Sequence, residues 1–157
     1  MIPKEFGQDA VEIAGSRAML DRVEKEGVPW AIVTSGTRAL VTGWLDGMKL
    51  AHPKNLVTAE DVPRGKPDPA CYQLGQKKLA LQQPKPSLVV FEDAPAGIRS
   101  GKAAGCTVVG LLTTHTLEQL QEAGADYIVK DMESVRLTWW DPGTGEGELA
   151  IVNAYEG

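Results

Sequence analysis

The stretch "VVFEDAPAG", residues 89–97, sets Glu92 and Asp93 side by side where an apolar run gives way to a helix start. Two ionised carboxylates at one strand end repel each other unless a cation or a proton resolves the conflict. A hard divalent ion such as Mg²⁺ is a natural solution, because it takes one or two carboxylates and completes its shell with water and phosphate oxygens. The same spacing has a second reading, in which Asp93 caps the helix that begins near Pro95. The two readings are compatible, since one carboxylate oxygen can cap while the other faces a metal.

Two more stretches carry groups of the complementary kind. "VTSGT", residues 33–37, offers hydroxyls and backbone N–H groups at a strand-to-helix turn, and Thr34, Ser35 and Gly36 there could receive an anion. Ordinary capping by Ser35 or Thr37 is the alternative. "RGKPDP", residues 64–69, places Lys66 before a proline that favours an extended segment. That lysine either neutralises phosphate charge or stands solvated in its loop.

These groups need a frame, and the sequence alternates between two periodicities. Residues 9–26 read as a helix with Met19, Leu20 and Val23 on one stripe and Gly27 as its stop. Residues 30–33 form a short β-rich run. Residues 37–48 are helical, with Leu40, Val41, Trp44, Leu45 and Met48 on one face. "NLVTAED" is a brief strand, residues 69–80 a helix anchored by Tyr72 and Leu79, and "SLVVFED" a buried strand. A helix ending at Gly105, the strand "CTVVGLL", a helix ending at Gly124 and the strand "ADYIVK" follow. Near-continuous apolar strands alternating with helices predict a Rossmann-like α/β fold: an open parallel sheet with helices on both faces. Ligands of such sheets bind outside the carboxyl ends of the strands. The polar endings Thr34–Ser35, Glu92–Asp93 and Thr113–Thr114 therefore converge on one rim, with His115 close by. The tail "VRLTWWDPGTGEGELAIVN" reads as an antiparallel hairpin, with Trp139 and Trp140 on opposite faces, one packed and one half-exposed.

Composition narrows the function classes. The chain has 157 residues and a net charge of -5, against a nonspecific nucleic-acid binder. No apolar run approaches the roughly 20 residues that span a bilayer. "MIPKEFGQDA" lacks the basic and apolar regions of a secretory signal. Cys71 and Cys106 have no metal-ligand spacing and read as buried free thiols of a cytoplasmic protein.

In this order, "VTSGT", "GKP" and "VVFEDAPAG" resemble the second, third and fourth motifs of haloacid dehalogenase (HAD) superfamily phosphatases. The wider stretches "TAEDVPRGKPDP" and "FEDAPAGIRSGKAAG" are most similar to the fungal glycerol-phosphate and 2-deoxyglucose-6-phosphate phosphatases. The resemblance implies that Thr34, with Ser35 and Gly36, binds the transferring phosphoryl group. It implies that Lys66 both binds and catalytically stabilises that group, that Asp93 holds Mg²⁺, and that Glu92 assists. The family's first motif, Asp-x-Asp, supplies its nucleophile, and no Asp-x-Asp occurs in the 157 residues. Residues 1–157 are thus expected to form one truncated core domain with 134–154 as a hairpin extension, lacking the central first strand and the cap. The implied function is a core for hydrolysing small sugar or polyol phosphates, impaired or inactive alone. The alternative is a non-catalytic phosphate-, metal- or partner-binding protein. The slot left by the first strand has three resolutions: its neighbours pair directly, a second chain donates a strand in a homodimer or strand-exchanged assembly, or the missing half is a separate polypeptide.

Overall fold

A computed structural model describes residues 15–34, 36–48, 55–79, 88–144 and 146–155. The elements alternate as expected: α1 (Ser16–Glu26), β1 (Ala31–Val33), α2 (Arg38–Met48), β2 (Asn55–Val57), α3 (Ala70–Leu79), β3 (Val89–Glu92), α4 (Pro95–Ala103), β4 (Thr107–Leu111), α5 (Leu117–Ala123) and β5 (Tyr127–Val129). The hairpin β6 (Val135–Asp141) and β7 (Glu146–Ile151) closes the chain. The expected first helix is described only from Ser16, so residues 9–14 lie outside the described residues, as does Ser35. Helix ends follow local chemistry. Gly27 (φ 73°) and Gly124 (φ 96°) close α1 and α5 in the left-handed region, where glycine carries no Cβ penalty.

The strands pair in parallel, but in two groups. β1 pairs with β2, and β3 pairs with β4, which pairs with β5. Among the described residues no ladder joins β1 to β3. Packing connects the two groups. On one face, Val33 and Val57 share a core with Val90, Val108, Ile98 and Leu120, beneath α3, α4 and α5. On the other face, Leu20 of α1 packs with Ile32, Val41, Leu45 and Leu56, while its neighbour Met19 packs with Val109, Leu111 and Val129. Helix α1 therefore lies across both groups. Consecutive strand residues such as Ile32 and Val33 feed opposite cores, as the period of two requires.

Three expectations need correction. Leu40 was placed on the buried face of α2, but it is exposed, and Val41 and Leu45 alone of the described residues of that stripe are buried. Residue 40 precedes Val41 by about 100° around the helix, which carries it past the edge of the apolar stripe. Val89 is also exposed, because it opens β3 at the end away from the core. Asp93 does not cap α4: Ala94 is the N-cap residue and provides no side-chain bond, and Pro95 opens the helix.

The hairpin pairs with a register shift between Leu137 and Trp139. Trp139 is exposed, while the ring of Trp140 covers Gly147 so closely that a Cβ there would lie 2.6 Å from it. The chain leaves the hairpin towards β5, where Tyr155 N–H donates to the Ile128 carbonyl at 2.7 Å.

Candidate active site

The loop between β2 and α3 carries Lys66 into the structure and is fastened at several points. The Asp68 carboxylate accepts Ala70 N–H at 2.9 Å and so caps α3, and the Asp68 carbonyl accepts the Ser100 hydroxyl of α4 at 2.7 Å. Lys66 Nζ donates to Glu92 Oε2 at 2.6 Å and lies 3.4 Å from the carbonyl of Val33. It also stands 5.2 Å from the centre of the Tyr72 ring. One cation thus touches the carboxyl ends of both strand groups.

Glu92 is buried, and one of its oxygens is engaged twice. Its Oε2 accepts the Lys66 ammonium and the Tyr72 hydroxyl, each at 2.6 Å. Burial alone would raise its carboxyl above the ordinary 4.5, but the Lys66 charge and the bonds from Lys66 and Tyr72 hold it down at about 2. The Tyr72 phenol moves the other way. Burial and the neighbouring Glu92 charge push it well above its ordinary 10.0, so it keeps its proton and donates. The carboxylate of Glu92 lies flat against α4. A Cβ built on Gly97 would sit 2.0 Å from its Cδ, so only glycine fits at this position.

Asp93, only 2% exposed, faces a different partner. Its Oδ2 accepts the Thr114 hydroxyl at 3.0 Å, and Thr114 is in turn 2.9 Å from His115 Nδ1. Its Oδ1 is buried and has no hydrogen-bond partner. An ionised oxygen in that position is costly without a cation. Its hard-oxygen chemistry fits a divalent ion that draws most of its shell from water and substrate. No group of three or more His, Cys, Asp or Glu that could hold a metal occurs among the described residues, and the open oxygen at this strand end is Asp93 Oδ1.

Thr34 ends β1 and is buried. Its N–H donates to the Val57 carbonyl at 2.9 Å, and its hydroxyl accepts Gly36 N–H at 3.1 Å. Gly36 in turn accepts Ala59 N–H at 3.1 Å, which ties the turn to the short 3-10 segment Ala59–Asp61. The start of α2 is already occupied by side chains: Glu60 accepts Arg38 N–H at 2.8 Å and Thr37 accepts Leu40 N–H at 3.3 Å. Arg38 also pairs with Asp61 at 3.2 Å. A pocket of about 140 Å³ opens between Thr34 and Lys66, walled by Val62, Pro63 and Cys71.

The structure therefore brings Thr34, Lys66 and Glu92 to one rim, with Thr114 against Asp93. Sequence reading missed Tyr72, taken as an apolar anchor, and Gly97, whose signal is a glycine one helical turn after the two acids. It also missed Cys71 as a pocket wall; both cysteines are free and buried, as expected.

Residues 3–111 match the family model described as haloacid dehalogenase-like hydrolase. Over 156 residues the chain is 44% identical to glycerol-1-phosphate phosphohydrolase 1 of Saccharomyces cerevisiae, covering 94% of this chain and 62% of that enzyme. It is 40% identical over 126 residues to hexitol phosphatase A of Escherichia coli, covering 80% of this chain and 56% of that protein. Among solved structures, a hydrolase from Pseudomonas syringae superposes with a TM-score of 0.68 at 32% identity, covering 78% of this chain and 55% of its own. A HAD family hydrolase from Deinococcus radiodurans, solved with bound phosphate and sodium, gives 0.68 at 27% identity over 79% of this chain and 56% of its own. The chain thus spans less than two thirds of the length of these relatives.

Proposed function

This chain belongs to the haloacid dehalogenase-like hydrolases, and we propose that it is the phosphate- and metal-binding part of a phosphomonoester hydrolase for small sugar or polyol phosphates. The observation that carries the reading is Lys66, held by Glu92 and the Val33 carbonyl at the wall of a pocket it shares with Thr34. In this reading Thr34, Ser35 and Gly36 receive phosphoryl oxygens. Lys66 neutralises charge that builds on them. Glu92 holds Lys66 in place, which makes its role towards the metal indirect. Asp93 Oδ1 would hold Mg²⁺, which supplies further charge neutralisation at the phosphoryl group.

In-line transfer also needs a nucleophile. Glu92 is bound to Lys66 and Tyr72, and Thr34 has no neighbouring base among its bonded partners. A carboxylate from an Asp-x-Asp segment outside this sequence fills that role. The β1 and β3 edges that pair with no described strand support its entry there, as a strand from another segment or another copy. The free buried thiols support a cytoplasmic location, and no helix among the described residues is long and apolar enough to cross a membrane.

The test measures binding and phosphate release with glycerol phosphate and hexitol phosphates in Mg²⁺. The chain alone binds these esters without turnover, and adding the Asp-x-Asp half of a relative brings turnover. Lys66→Ala weakens ester binding about 10-fold or more, the scale of a lost charge-assisted contact. Unchanged binding by Lys66→Ala overturns the reading.

A further inference from the structure

We propose that Thr114 is a positioning residue for the cation at Asp93, backed by His115, so that the turn after β4 forms part of the metal site. The inference rests on the reading of Asp93 as a metal ligand. A carboxylate with one oxygen fixed and the other bare has a defined direction of attachment. Thr114 supplies the fixing bond: its hydroxyl donates to Asp93 Oδ2 at 3.0 Å and lies 3.4 Å from the Asp93 carbonyl. The Asp93 Oδ1 left over is the buried oxygen without a partner.

The turn that carries Thr114 is itself anchored at both ends. Leu112 N–H donates to Val129 of β5, and Thr113 N–H to Leu111, each at 2.9 Å. On the far side Thr116 and Gln119 cap α5 reciprocally, at 3.2 Å and 2.9 Å. The main chain on either side of Thr114 is therefore held, which presents its hydroxyl to Asp93 and favours the rotamer that accepts it. His115 Nδ1, 2.9 Å from the same hydroxyl, completes the arrangement. With its proton on Nδ1 the ring donates to Thr114, and the single hydroxyl proton is then directed at Asp93. Partners that orient a ligating carboxylate in this way typically govern metal affinity by about 10- to 100-fold.

The experiment titrates the full chain with Mn²⁺, following loss of the free-ion electron paramagnetic resonance signal, and with Mg²⁺ by calorimetry. Wild type binds and Asp93→Asn does not. Thr114→Val weakens binding about 10-fold or more, and Thr114→Ser, which keeps the hydroxyl, returns to within about 3-fold of wild type, well inside the range such partners govern. His115→Ala falls between them. Thermal melts of the metal-free variants accompany the titrations. Wild-type affinity in Thr114→Val, with Asp93→Asn inactive in binding, overturns this inference and leaves the Asp93 reading standing. Equal weakening by Thr114→Val and Thr114→Ser also overturns it, since a purely structural role gives that pattern. Normal binding by Asp93→Asn, or none by wild type, overturns the Asp93 reading and the inference together.

Discussion

The two strand groups meet at the same rim but are built differently. β3, β4 and β5 form a continuous ladder, covered on both faces, with their polar ends cross-linked through Asp93 and Thr114. β1 and β2 are a single pair of three-residue strands. They are joined to the other group by packing and by side-chain bonds, among them that of the half-buried Lys66, which contacts the ends of β1 and β3 at once. A ladder of main-chain bonds tolerates the loss of any one side chain. A joint that combines packing with an ion pair is more sensitive, so substitutions at Lys66 and Glu92 should separate the two groups in stability as well as in ligand binding.

The largest effect is expected from Glu92→Gln. It leaves the half-buried Lys66 beside a neutral amide; breaking a fully buried pair from one side costs about 3–5 kcal/mol, which is the upper bound here. Urea unfolding measures this, and hydrogen exchange shows whether β1 and β2 lose protection before β3 to β5. Loss of protection in β3 to β5 first contradicts the comparison. The same carboxylate sets an acid response. Its folded value, about 2, is below the ordinary 4.5, so its contribution is complete above about 4.5 and disappears as pH falls towards 2. Wild type should lose stability across that window faster than Glu92→Gln, as read by denaturant midpoints at several pH values. Gly97→Ala comes next. The new methyl collides with the Glu92 carboxylate, and overpacking of this kind costs about 1–3 kcal/mol. Its signature is a lowered melting temperature together with weakened phosphate-ester binding. Arg38→Ala is the smallest. The Arg38–Asp61 pair is half-exposed on the arginine side, and such pairs contribute less than about 1 kcal/mol, a shift that 0.5 M salt should largely remove.

The sequence made the alternation legible because each element states its own period and its own stop. Gly124 and Gly27 end helices where the pattern ends, and the apolar runs of β3 and β4 stand out from their surroundings. It also singled out Thr34, Lys66 and Glu92, whose side chains the structure brings to one rim. What stayed hidden were side-chain choices settled between distant elements. Lys66 and Glu92 are 26 residues apart, and nothing local to either says that they pair. Asp93 illustrates the same limit. Its position before Ala94 and Pro95 is suited to capping, but Thr114 on the neighbouring strand's turn took the carboxylate. Tyr72 kept its hydrophobic role in α3 while its hydroxyl served Glu92, a division that periodicity alone does not resolve.

The fastening of Lys66 has a consequence for how anything binds beside it. A free lysine side chain samples many rotamers, and freezing it costs up to about 2 kcal/mol. Here folding has already done the freezing, through Glu92, the Val33 carbonyl and the Tyr72 ring. An anion entering the pocket meets a charge that need not be ordered, and the entropic toll of recognition falls on the ligand alone.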